Sequence, residues 1–73
     1  MASYMMWFDD DRKKPAVVKI EEALSAYERR FQRQPNVVLI SERETVETNA
    51  PVQLRPQPFV RPSYFYVGYE EAA

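Results

Sequence analysis

One segment alone carries a helical hydrophobic period, so the chain has a single helix with which to build its fold. Apolar side chains recur there at steps of three and four and form one stripe: Val17, Ile20, Leu24, Tyr27 and Phe31. The stripe predicts a helix of about four turns, with Pro15 at its first position and Pro35 beyond its end. A chain of 73 residues leaves room for one domain, so this helix is the only one available to cover a sheet.

Short apolar runs on both sides of the helix predict β-strands. Residues 4–8 predict a first strand, and residues 36–41 predict a central strand because they are β-branched and apolar on both faces. Strand, helix and strand in this order predict a βαβ unit with parallel strands and a right-handed crossover. Residues 64–69 predict a last strand. The predicted fold class is α/β or α+β, a small βαβ unit plus C-terminal strands, with three or four strands and one helix on one face.

Four prolines interrupt residues 51–62 and predict an extended segment. Pro56 and Pro58 are two residues apart, so in a strand both would remove backbone N–H donors from the same edge. Residues 52–58 are therefore an edge strand or an extended arm, and never a central strand. We expect residues 1–73 to form a single small α/β domain with this proline-rich segment at 51–62.

The predicted strands are apolar on both faces, and one helix can cover only one of them. In the last strand Phe65 and Val67 alternate with Tyr64 and Tyr66, and we expect the two tyrosines to lie opposite the helix. A contiguous apolar face left open predicts an interface with a protein partner or a second copy of the chain. In the alternative, the proline-rich segment folds back over this face. The candidate interface residues are Tyr64, Tyr66, Met5 and Trp7.

The amino-acid composition excludes most kinds of catalytic, metal-binding and nucleotide-binding site. The chain has no Cys and no His, which excludes a disulfide, a zinc site, a haem ligand and the usual Ser–His and Cys–His nucleophile pairs. Its single glycine rules out recognisable P-loop and dinucleotide-binding fingerprints. We therefore expect no cofactor and no catalysis. The first residues lack a basic n-region and three aspartates end the first apolar run, so we expect no signal peptide, no membrane contact and a cytoplasmic protein.

Two acidic clusters leave a weaker alternative open. Residues 9–11 are three aspartates after the first strand, and Glu42, Glu44 and Glu47 follow the second. If the two strands are parallel, both clusters lie at the same sheet edge, where carboxylates can hold Mg²⁺. The corresponding function is a metal-dependent phosphoryl-transfer or nuclease fragment, although basic neighbours at residues 12–14 and 43 screen these acids.

Local basic patches support a second alternative. Ten basic and eleven acidic residues give a net charge of −1, which predicts no general attraction to nucleic acid. The candidate phosphate contacts are Arg29, Arg30 and Arg33 at the helix end, with Arg55 and Arg61 in the extended segment. With Tyr64 and Tyr66 stacking on bases, they would make a single-stranded nucleic-acid-binding module. The leading hypothesis is a non-catalytic protein–protein interaction or assembly module, acting as an accessory subunit or a homodimer.

Overall fold

The structure is a computed structural model and describes residues 3–71. It contains one helix on a four-stranded mixed sheet, which confirms the predicted fold class. The elements in chain order are β1 (Tyr4–Phe8), α1 (Ala16–Phe31), β2 (Val37–Ser41), β3 (Gln53–Gln57) and β4 (Tyr64–Gly68).

The strand order in the sheet is β1-β4-β2-β3. β4 is antiparallel to both β1 and β2, so β1 and β2 run parallel as predicted, but β4 lies between them. This position suits β4, because its side chains are largely apolar on both faces and both of its edges are paired. β1 and β3 are left as the two edge strands.

β3 confirms that the proline-rich segment contains an edge strand. It pairs in parallel with β2, and the Gln53 N–H donates to the Asn36 carbonyl at 2.9 Å. The backbone N–H groups of residues 53, 55 and 57 point toward β2. The nitrogen of Pro56 therefore points away from β2, at the outer edge, where no donor is needed. Val52 and Leu54 pack against the core. The strand therefore extends the sheet sideways and does not form a second layer over it.

The helix begins one residue later than the sequence predicts. Pro15 is the N-cap, with φ −61° and ψ 150°, and its carbonyl accepts the N–H groups of Val18 and Lys19. At the other end Gln32 is left-handed, with φ 55°, and donates its N–H to the Glu28 carbonyl. This left-handed cap stops the helix before Pro35, which cannot continue it.

The hydrophobic core lies between α1 and the sheet. From the helix come Ile20, Ala23, Leu24 and Tyr27, and from the strands Met5, Val38, Ile40, Phe65 and Val67. The connection between β2 and β3 packs Val46 and Ala50 against the same cluster. One face of the sheet is thus closed by the helix and by this connection, and the opposite face has neither layer.

Candidate functional site

The open face is the side of the sheet turned away from α1. Strand alternation and register place Met6, Tyr66 and Leu39 side by side across β1, β4 and β2, and Phe8 beside Tyr64. Met6 is 56% exposed and Phe8 is 50% exposed. Tyr64 and Tyr66 lie on this face, because Phe65 and Val67, which alternate with them along β4, are fully buried on the helix side. We define the open face as Tyr4, Met6, Phe8, Leu39, Tyr64 and Tyr66. Val37 and Ser41 lie on the same side of β2 by strand alternation, but they are buried, with 1% and 2% exposure.

Met5 and Trp7 do not belong to the open face, which corrects their grouping with the two tyrosines. Met5 pairs with Val67 and Trp7 pairs with Phe65, so both lie on the helix side of β1. Met5 is a core residue, and Trp7 packs against the core. The residues that β1 contributes to the open face are the alternate ones, Tyr4, Met6 and Phe8. The sequence alone does not show which alternate residues of β1 lie beside the tyrosines, because β1 is apolar at every position.

One end of the open face is aromatic. The rings of Phe8 and Tyr64 are tilted by 44° with their centroids 4.7 Å apart, a favourable arrangement for two aromatic side chains. Beside them is a depression of about 200 Å³ lined by Phe59, Arg61, Tyr64 and Tyr66. Phe59 is 66% exposed, more than the other large exposed apolar side chains of the described residues. The aromatic end is therefore next to a guanidinium group.

The other end of the open face is polar and organised around Glu70. The Tyr4 hydroxyl donates to Oε2 of Glu70, and the Arg55 guanidinium lies 2.7 Å from Oε1. The Asn36 side chain donates to the Glu70 carbonyl at 2.7 Å and accepts its N–H at 2.8 Å, which fixes the backbone of Glu70. The bond from Tyr4, followed by the bond and charge of Arg55, lowers the pKa of Glu70. The same bond, with burial, raises the pKa of Tyr4.

Gly68 makes room for this polar end. The Tyr4 ring lies over it, and a Cβ at position 68 would be 2.5 Å from Cδ1 of Tyr4. The only glycine of the chain therefore stands where a larger residue would push the tyrosine ring off β4. We infer that this close approach, and no unusual backbone angle, requires glycine here.

We expect Gly68→Ala to displace the Tyr4 ring and to break its hydrogen bond to Glu70. The expected cost is about 1 kcal/mol in the free energy of unfolding, the usual net value of one hydrogen bond. The pKa of Tyr4 should fall back toward its ordinary value, as measured by ultraviolet titration. Tyr4→Phe is the matched control, because it removes the same bond without a clash. Urea melts and a titration that both overlay the parent would show that the ring tolerates the added methyl group.

The predicted arginine stripe is not assembled. Arg33 stacks on the Tyr69 ring at 3.4 Å and Arg30 lies 5.1 Å from the centre of the Phe31 ring. Arg29 lines a groove beside the helix. These three lie on the helix or just beyond its end, whereas Arg55 and Arg61 are at the open face. Since α1 covers the face opposite the one that carries the tyrosines, Arg29 and Arg30 lie away from Tyr64 and Tyr66, and phosphate contact by these arginines stays a prediction.

The acidic loop after β1 is bound to its own backbone and to a lysine. Asp9 accepts the N–H of Asp11 at 3.0 Å, Asp11 accepts that of Lys13 at 2.9 Å, and Lys14 bridges Asp9 at 3.2 Å and Glu22 at 2.8 Å. The N–H of Asp11 and then Lys14 lower the pKa of Asp9. Between residues 3 and 71, no group of three carboxylates is arranged to hold a metal ion.

Comparison with known proteins adds no functional assignment. The chain matches no protein-family profile, no curated protein and no solved structure. Within the described part of the chain, α1 has neither the length nor the apolar character needed to cross a membrane. The open face itself is therefore the feature of this protein that bears on its function.

Proposed function

We propose that the protein is a non-catalytic assembly module whose open face binds another protein. The observation that carries the proposal is the exposure of Met6 and Phe8 within a continuous apolar and aromatic surface. Single exposed apolar side chains are ordinary, but adjacent ones on a sheet face mark a binding surface. Tyrosines at its centre support the same proposal, since aromatic side chains often anchor interfaces.

The charges of the open face favour an apolar partner surface. Arg55 is neutralised by Glu70 at 2.7 Å, which leaves Arg61 as the one guanidinium without an ion pair among the described residues of this face. A strongly charged partner would bury charges here without enough opposite charges to pair with them. The partner therefore presents apolar side chains with few charges.

The size of the molecule is compatible with such an interface. Its principal extents are 33, 25 and 20 Å. A helix packed on a sheet makes a two-layer body, and we assign the shortest extent to the direction across the layers. The outline of the molecule in the plane of the sheet is then 33 by 25 Å, and the open face is part of it, so a standard interface of roughly 800 Å² per partner would take up most of that side of the molecule.

Replacing both tyrosines, as Tyr64→Thr with Tyr66→Thr, is expected to abolish partner binding and to leave the fold intact. Threonine keeps the strand propensity, so the loss of stability should stay near 1 kcal/mol. The measurement is co-purification from source cells, quantified by mass spectrometry, with circular dichroism to verify folding. Phe31→Thr is the control, because it removes an aromatic ring, 45% exposed, from the helix. A partner that is retained by the tyrosine variant and lost by the Phe31 variant would contradict the proposal.

A single-stranded nucleic acid is the second candidate partner, and one observation favours it. Arg61 lies in the same depression as Phe59, Tyr64 and Tyr66, a combination that can stack a base and contact a phosphate. Because few cationic side chains are present, we expect weak binding, with an affinity that falls steeply as the salt concentration rises. Fluorescence anisotropy with a labelled oligonucleotide measures it, with Arg61→Gln as the variant. Submicromolar binding that Arg61→Gln and the tyrosine variant both remove would place this candidate first.

A further inference from the structure

The outer edge of β1 presents unpaired backbone groups. Asp9 donates its N–H to the carbonyl of Ser63 at 3.0 Å, and the register continues this pairing along β1 and β4. Because hydrogen-bonded and non-bonded pairs alternate in an antiparallel ladder, residues 5, 7 and 9 bond to β4. Tyr4, Met6 and Phe8 therefore turn their N–H and C=O groups outward, and no strand among residues 3–71 pairs with them.

The two edges of the sheet differ in their protection. At the β3 edge Pro56 points outward and Pro58 follows, so this edge lacks donors that an added strand would need. β1 carries no proline and no charged residue from Tyr4 to Phe8. Natural sheets normally block such an edge. The unblocked edge of β1 is therefore a site at which another strand can be added.

A groove runs beside this edge, between β1 and α1. Its volume is about 470 Å³, and it is lined by Trp7, Val18, Glu21, Glu22, Ser25 and Arg29. The indole N–H of Trp7 is buried and has no hydrogen-bond partner within the described chain. A buried donor without a partner is costly, so an acceptor that reaches this groove, from water or from another chain, would stabilise the indole N–H.

We propose that a second copy of this chain adds its β1 to the β1 edge in antiparallel fashion, about a two-fold axis at Met6. The axis places Met6 against Met6 of the partner subunit, and Tyr4 against Phe8 of the partner subunit. All are outward-facing residues, so each pair exchanges both backbone hydrogen bonds. The antiparallel direction keeps the two acidic loops at residues 9–11 at opposite ends of the seam, whereas parallel strands would bring them together.

Charge complementarity along α1 favours a second copy as the occupant. The two-fold axis also reverses the direction of the partner helix, and interfaces of this symmetry are self-complementary. Ser25 and Trp7 line the same groove, and Trp7 is next to Met6 in β1. Glu21 lies four residues before Ser25 and Arg29 lies four residues after it. An axis at this level places Glu21 across the groove from Arg29 of the partner subunit, and it does so twice.

This dimer leaves the open face available. The side chains of Tyr4, Met6 and Phe8 stay on that face, and the two sheets join into one with both helices on the same side. The dimer thus presents two open faces side by side. It is a separate contact from the proposed partner interface, and either can fail without the other.

The first test compares Met6→Pro with Met6→Ala by sedimentation velocity. Proline removes the outward N–H and blocks the edge without touching the bonds to β4, whereas alanine removes only the side chain. The parent and Met6→Ala should be dimers, and Met6→Pro should be a monomer with an unchanged circular dichroism spectrum. A monomeric parent overturns the proposal, even if the edge accepts an extended peptide. Dimers in all three proteins overturn it as well.

The second test changes two exposed charged residues of α1. Arg29→Glu should weaken dimerisation about tenfold, because two attractive pairs become repulsive. Exchanging the charges, as Glu21→Arg with Arg29→Glu, should restore the parent value. The variant with threonine at positions 64 and 66 should dimerise like the parent. An exchange variant that stays as weak as Arg29→Glu, or a tyrosine variant that is monomeric, would assign the dimer to another surface and overturn the proposal.

Discussion

Phe65→Ala is expected to lower the free energy of unfolding by about 3–5 kcal/mol. Phe65 is fully buried and is the largest such side chain of the described residues. It lies on β4, which pairs with strands on both sides, and it belongs to the cluster that also contains Ile20 and Leu24. The strands on both sides of β4 are fixed by the ladder, so they cannot move in to close the cavity.

The consequence for a chain of 73 residues is large. Folded proteins have about 0.05–0.15 kcal/mol of stability per residue, so this loss takes a large share of the total. Urea unfolding followed by circular dichroism measures the effect. Phe59→Ala removes the same side chain from an exposed position and should change stability by less than about 0.5 kcal/mol. Equal losses in the two variants would show that β4 is not the centre of the core.

Leu24→Ala is expected to cost about 2–5 kcal/mol. Leu24 lies in the middle of the helical stripe, is 8% exposed, and is a member of the same core cluster. Its loss leaves a cavity between α1 and the sheet and removes part of the packing that stabilises the only helix of residues 3–71. The expected result is a lower urea midpoint with an unchanged slope.

The matched control for the helix is Glu28→Ala. Glu28 is exposed on the same helix one turn later, and alanine favours helix formation, so its substitution should be close to neutral. Melts of Leu24→Ala that overlay those of Glu28→Ala would mean that the helix presents a different face to the sheet. The two substitutions therefore test the orientation of α1 directly.

Local sequence patterns predicted the elements well. The bounds of β1 were those of the apolar run, and the helix was displaced by one residue, since Pro15 caps it from outside. The spacing of the prolines predicts that the segment around Pro56 is an edge strand or an extended arm and not a central strand, and the structure shows the edge strand. These features depend on neighbours in sequence, such as hydrophobic period, missing donors and turn residues, and they are therefore visible without tertiary structure.

The composition of the open face could not be predicted in the same way. The register between β1 and β4 decides which alternate residues of β1 lie beside the tyrosines. This register is set by pairing between strands that are some sixty residues apart in the chain. The sequence therefore groups Met5 and Trp7 with the two tyrosines, whereas the structure places Met6 and Phe8 beside them. The Tyr4–Glu70–Arg55 network has no sequence signal for the same reason, because its members meet only when β1, β3 and the end of β4 come together.

The most direct measurement of partner binding is photo-cross-linking from position 66. A photoreactive phenylalanine analogue at Tyr66 in source cells should give a discrete protein adduct, and the same analogue at Phe31 should not. The side chain of Tyr66 lies at the centre of the open face, so a bound protein would be within reach of the probe. Adducts of equal yield from both positions, or an adduct with nucleic acid at position 66, would contradict a protein-binding role for the open face.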